Sequence, residues 1–172
     1  MPQPFRLAAA AVCGVSLILG ASSAAAANLS VDFVHPETYT DAAYTQLHGS
    51  EPERKEVEQD IEKHLQQLAE RSLAPGDTLQ IDVLDIDLAG RVEPIRSAQI
   101  SDLRIVRESD WPRMKLRYTL SRDGRVVSSA EEKLSDMSFL MSLNRYPSGD
   151  RIRYEKAMLD AWFAKRFGKP AH

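Results

Sequence analysis

Between Leu79 and Leu88 the chain alternates apolar and polar residues and then changes phase. Leu79, Ile81 and Val83 alternate with Gln80 and Asp82, but from Leu84 the apolar set becomes Leu84, Ile86 and Leu88. A period of two marks a strand with one buried face. A slip of one residue would carry that set to the opposite face, so the phase change predicts a bulge near Val83-Leu84. A strand of this kind has to sit inside a sheet whose apolar face something else covers.

The rest of the chain supplies both the neighbours and the cover. Val31 to His35 alternates and is stopped by Pro36, which predicts a first strand. Residues 36–50 are a polar connection with Tyr39 and Tyr44. Ser50-x-x-Glu53 has the form of a capping box, and Val57, Ile61, Leu65 and Leu68 follow at helical spacing, predicting an amphipathic helix over 51–73. Ala74-Pro75-Gly76-Asp77 reads as a type II turn into the central strand, which Gly90 ends. Residues 91–101 read as an irregular connection. Leu103–Val106 opens a further strand that Trp111-Pro112 bends, and Met114, Leu116, Tyr118 and Leu120 continue it. Asp123-Gly124 is a hairpin signal, with Val126–Leu134 returning. Residues 135–149 hold a short apolar turn and then a loop. Asp150 caps a last helix in which Tyr154, Met158, Ala161 and Trp162 share a face, with Gly168 and Pro170 closing it.

The order strand, helix, three strands, helix predicts an α+β fold. It consists of one antiparallel-rich sheet of about four strands with two amphipathic helices on one face. No repeat or linker divides it, so residues 28–172 are read as one domain.

The first 27 residues differ in kind. They hold no acidic residue and one basic residue, Arg6, followed by an apolar stretch from Leu7 to Gly20 and an Ala/Ser run to Ala27. That is the layout of a cleaved secretory signal peptide, and the apolar stretch is short for a membrane span. A periplasmic or secreted location follows, with no membrane span after cleavage. Cys13, the sole cysteine, lies in this segment, too early for a lipoprotein acylation site. Its loss would remove thiol catalysis, disulfides and thiolate metal sites together. The overall charge of −3 conceals an asymmetry: residues 28–90 carry four basic and fourteen acidic side chains, and residues 91–172 carry seventeen and eleven.

Several stretches carry a family resemblance. Leu84-Asp-Ile-Asp-Leu-Ala-Gly90, Lys133-Leu-Ser-Asp-Met137, Leu143-Asn-Arg-Tyr146, Arg153-Tyr-Glu-Lys-Ala157 and Asp160-x-Trp-Phe163 resemble the domain-of-unknown-function family numbered 3016. The likeness runs from Phe33 to Phe167. It implies a secreted or periplasmic protein of proteobacteria, and it implies no activity, ligand or site residue.

Chemistry then rests on residue types. Asp85 and Asp87 share a strand face, as two carboxylates holding a hard cation would, and Asp85-x-Asp87-x-x-Gly90 echoes the start of an EF-hand loop. The echo ends at Ala89 and at Arg96, where the bidentate Glu would stand. A metal-dependent or acid/base hydrolase built on Asp85 and Asp87 is therefore the alternative reading, not the first. His35, His48, His64 and His172 lack metal spacing, and no nucleophile elbow, zinc-protease string or phosphate-cradling glycine loop occurs. No cofactor is expected.

Basic strands and aromatic loops point instead to binding. Arg113, Lys115 and Arg117 share the polar face of one strand, Arg125 lies on the next, and Arg104 on the one before. Trp111, with Arg145 and Tyr146, supplies loop residues of the kind that dominate binding surfaces. The expected function is a non-catalytic envelope module binding a protein or an anionic cell-envelope component. Nucleic acid is not an expected partner, because the chain is acidic overall and its basic residues lack interleaved aromatics.

Overall fold

The computed structural model describes residues 27–45, 50–93 and 103–168. The apolar N-terminal stretch and Cys13 lie outside the described residues, as do His48, Arg96 and His172.

Four strands form the main sheet: β1 (Asn28–Phe33), β2 (Asp77–Asp87), β5 (Arg113–Arg122) and β6 (Arg125–Ser135), in the spatial order β1-β2-β5-β6. A separate two-stranded piece pairs β3 (Arg91–Glu93) with β4 (Leu103–Ile105). Helix α1 (Glu51–Ser72) lies against β1, α2 (Arg153–Phe167) against β6, and the helices touch each other. The α+β class holds, with one qualification: β1 runs parallel to β2, while the other pairs in the main sheet are antiparallel.

The central strand does what its phase change requires. Pairing between β2 and β5 is regular up to Val83, skips Leu84 and resumes at Asp85. Leu79, Ile81, Val83 and Ile86 are therefore all buried on one face, with Met114, Leu116 and Tyr118 beside them. Gly76 has a positive φ and the Asp77 N–H donates to the Ala74 carbonyl (3.0 Å), which is the expected type II turn. Asp123 and Gly124 both have positive φ, so the β5–β6 hairpin closes through a type I′ turn. A second bulge, between Leu120 and Ser121 in the pairing, leaves Val127 unopposed.

Five local expectations need correction. Leu103–Ile105 is not the start of β5 but belongs to the small sheet, and residues 91–93 are a strand rather than irregular chain. The two are locked at Gly90 (φ +81°), where a Cβ would come within 2.6 Å of the Ile105 carbonyl oxygen. Ser50 stands at the N-cap of α1 without a side-chain cap bond, and the Glu53 carboxylate accepts from the Thr45 hydroxyl instead. On α2 the buried stripe is Glu155, Met158, Leu159, Trp162 and Phe163. Tyr154 and Ala161 fall one step round the helix from that stripe, so Tyr154 is half-buried and Ala161 is exposed. The 36–50 connection is not merely polar: Ala42, Ala43 and Tyr44 are buried. Asp41 bridges to Asp87, so this segment resumes the lane beside β2 that β1 leaves at Phe33.

Candidate functional site

The helices cover one face of the sheet and leave the other open. Register places Asp82, Asp85 and Asp87 of β2, Arg113, Lys115 and Arg117 of β5, and Glu131 and Lys133 of β6 on this outer face. Opposite charges alternate across it. Arg117 binds Asp82 (2.7 Å), Arg113 binds Asp87 (2.7 Å) and Lys115 binds Glu131 (2.7 Å). The Lys115 ammonium, hydrogen-bonded to Glu131, holds that carboxyl below its ordinary value. Each of the three basic residues read from the sequence on β5 thus stands beside a carboxylate that neutralises it. Arg125 sits at the hairpin opposite Arg122, and neither it nor Lys133 has an ion pair among the described residues.

The two acidic candidates are likewise occupied. The Asp85 oxygens accept from the Thr40 N–H (2.7 Å) and hydroxyl (2.8 Å). The Asp87 oxygens accept from Arg91 (2.9 Å) and Arg113 (2.7 Å). Among the described residues no group of three or more His, Cys, Asp or Glu side chains stands together as a metal would need.

Asp87 belongs to a larger network that ties down the sheet end where β2 stops and β5 starts. Arg104 donates to Asp41 (2.7 Å) and to the carbonyls of Ala43, Ala89 and Gly90. Its guanidinium is nearly buried, so this arginine is a structural strut rather than part of a binding stripe. From the helix side, Glu155 accepts the Ala89 N–H (2.7 Å), while its second oxygen has no partner. Full burial pushes its carboxyl up to about 7.

A loop of a different character emerges at the same end. Residues 136–143 follow β6, and the Asp136 N–H donates to the Pro112 carbonyl (3.3 Å), which sets the loop beside Trp111. The loop is folded on itself: the Ser138 N–H donates to the Asp136 carboxylate (3.0 Å), and the Ser138 carbonyl accepts from the N–H groups of Met141 (2.9 Å) and Ser142 (3.0 Å). Phe139 points inward, is buried and meets the Tyr154 ring edge-on at 4.8 Å. The other apolar side chains point outward. Met137 is 67% exposed, Leu140 46%, Met141 85% and Leu143 102%. Trp111 at its base lies under the Arg113 guanidinium (5.1 Å).

Arg145 and Tyr146 close onto a separate cluster. The Asp160 carboxylate accepts from the Tyr146 hydroxyl (2.7 Å), binds Arg145 (2.8 Å) and meets the buried His64 Nε2 (3.0 Å). Burial raises the Asp160 carboxyl, but the hydrogen bonds with His64 and Tyr146 outweigh it and hold the group below its ordinary value. Burial, reinforced by the Asp160 bond, pushes the Tyr146 hydroxyl up to about 12. The cluster joins α1, α2 and the 144–146 segment from the inside. Sequence reasoning saw Arg145 and Tyr146 as a loop pair and His64 as one of four histidines without metal spacing. It did not see that Asp160 unites them, because 64, 146 and 160 share no local period.

The outward loop residues were also missed as a site. The available signal was an apolar run, Met137 to Leu143, fitting neither a helical nor a strand period; such a run on the surface is anomalous unless something binds it.

The model of the protein family of unknown function DUF3016 matches residues 27–165, and the chain belongs to that family. No curated protein matches it. Among solved structures, protein XCC0632 from Xanthomonas campestris, of the family model DUF330, is similar at a TM-score of 0.38 with 10% identity, over 83% of this chain and 80% of that one. A likeness of that size does not extend to function.

Proposed function

We propose that the protein is a non-catalytic envelope module, exported through its N-terminal segment, that binds its partner through the sheet end formed by residues 136–143 and Trp111. One observation carries this reading: four aliphatic side chains stand in water on a loop that Phe139 and its own hydrogen bonds hold in shape. Monomeric surfaces keep such patches small unless something covers them. Export is supported by the N-terminal layout, and no helix of the described residues is long and apolar enough to cross a membrane. Of the residues singled out in the sequence, Trp111 and Arg113 border this surface. Lys115 and Arg117 lie further along the outer face, Arg125 stands opposite Arg122 at the hairpin on the other side of the sheet, and Arg145 and Tyr146 lie against Asp160.

Co-sedimentation with a crude cell-envelope fraction tests the reading. The native chain is expected to pellet with it. The variant Met137→Ser/Leu140→Ser/Met141→Ser/Leu143→Ser, with an unchanged melting curve, is expected to remain in the supernatant. Equal pelleting of the two would overturn the proposal.

A further inference from the structure

Resting on the binding reading above, we infer that the partner of the 136–143 loop is the surface of an anionic lipid bilayer. Three features of the loop select a fluid partner over a shaped one. The first is its profile. Met141 and Leu143 stand almost wholly clear of the protein, as separate tips rather than as walls of a groove. A protein partner gains its energy from close-packed pockets filled by anchors, whereas a bilayer accepts isolated aliphatic tips without needing a matching shape.

The second feature is composition. Methionine and leucine are flexible, unbranched at Cβ and free of polar atoms that acyl chains would leave unsatisfied. Part of the loop's polar complement turns to its own backbone: the Ser142 hydroxyl and the Met141 and Ser142 N–H groups all donate to the Ser138 carbonyl. Those groups need no water when the tips insert, which lowers the cost of shallow insertion. Trp111 at the loop's base adds an aromatic of the type that settles at headgroup depth.

The third feature is charge. From Lys133 to Arg153 the chain carries four basic residues and two acidic ones. Both acids are part-exposed and hold local partners: Asp136 accepts the Ser138 N–H, and Asp150 accepts the Ile152 N–H and the Lys156 ammonium. Of the four basic residues, Arg145 is paired with Asp160 and Arg151 with Glu56, Arg153 lies over the Tyr154 ring, and Lys133 has no ion pair among the described residues. An apolar tip flanked by the exposed, unpaired Lys133 is complementary to negatively charged headgroups, and each basic group near such a surface strengthens attachment.

Flotation with protein-free vesicles provides the test. The native chain and the Met141→Ser/Leu143→Ser variant are prepared with the same N-terminal processing, verified by mass. Each is mixed with vesicles of phosphatidylglycerol and phosphatidylethanolamine, and separately with phosphatidylcholine alone. The native chain is expected to float with the anionic vesicles, with about tenfold weaker binding to the neutral ones and a further loss at high salt. The variant is expected to stay at the bottom with both. Flotation of the variant alongside the native chain, or flotation indifferent to lipid charge, would overturn the inference. If the native chain pellets with the cell-envelope fraction but floats with neither vesicle, the binding reading stands and the partner is a protein or glycan instead. If it does neither, both fall.

Discussion

The outer face of the sheet and the loop at its end are opposites. The face is rich in charge and largely paired within itself: Asp82, Asp87 and Glu131 each hold a basic residue of β5, and Lys133 is left over. The loop is nearly free of charge, with four aliphatic side chains in water and no partner for them. Charged residues exposed on a sheet cost little because water and one another solvate them. Exposed Met and Leu gain nothing from water, so their presence calls for an explanation that an exposed Arg does not. The contrast teaches that the density of charge in a sequence is a poor guide to where a partner sits. The absence of an internal partner is a better one.

Substitutions can break or sharpen this contrast. The largest effect is expected from the loop's anchor. Phe139→Ala empties a buried site against Tyr154 and should lower stability by about 3–4 kcal/mol in denaturant melts. It should also weaken envelope binding, because the outward tips lose their common support. Retained binding at full affinity would show that the loop's shape is irrelevant. On the opposing side, Asp87→Ala leaves Arg91 and Arg113 without their shared buried carboxylate. Because both arginines are more than a third exposed and water can solvate them once the carboxylate is gone, the cost should be about 2 kcal/mol rather than that of a fully buried pair. That loss should appear in melting and not in binding.

Glu155 ties α2 to the end of β2 and gives the sheet end a pH dependence. Its carboxyl titrates at about 7 in the fold, against an ordinary value near 4.5, so the folded state holds the proton more tightly. The contribution is therefore fully present below about pH 4.5 and is lost as pH rises through 7. Stability should fall by about 2 kcal/mol between about pH 5 and about pH 8, and Glu155→Gln should flatten that slope. Melts at both pH values check it; an equal slope in the variant would assign the dependence elsewhere. The smallest effects belong to the two surfaces themselves. Arg117→Ala removes a half-exposed ion pair and should cost about 0.5 kcal/mol, while Leu143→Ser should change stability by less than about 0.5 kcal/mol. A loss above about 2 kcal/mol in Leu143→Ser would mean that the tip is part of the core.

The sequence made much of the fold legible where the determinants are local. The phase change at Val83-Leu84, Gly76 in its type II turn and Asp123-Gly124 in its hairpin all depend on residues within a few positions of one another. The errors came where distant segments compete. Leu103–Ile105 has the composition of a strand leading into β5, but Gly90 brings Ile105 onto Arg91, and the pair splits off as its own sheet. Glu53 has the right spacing from Ser50, yet Thr45 takes its carboxylate. The arginines of β5 were legible as a face, whereas their partners were legible only in part, because which carboxylate lies opposite depends on register across strands. The Asp160 cluster was not legible, and of the outward side chains of residues 137–143 only the unperiodic apolar run showed. Both depend on what surrounds a residue, and a single chain does not spell that out.

The central claim is that the loop, not the charged face, meets the partner. Amide hydrogen exchange of the native protein, free and bound to a cell-envelope fraction, tests it most directly. Slower exchange on binding is expected across residues 136–143 and around Trp111, with residues 115–119 and 129–133 unchanged. Protection confined to those β5 and β6 segments, with the loop exchanging as before, would contradict the account.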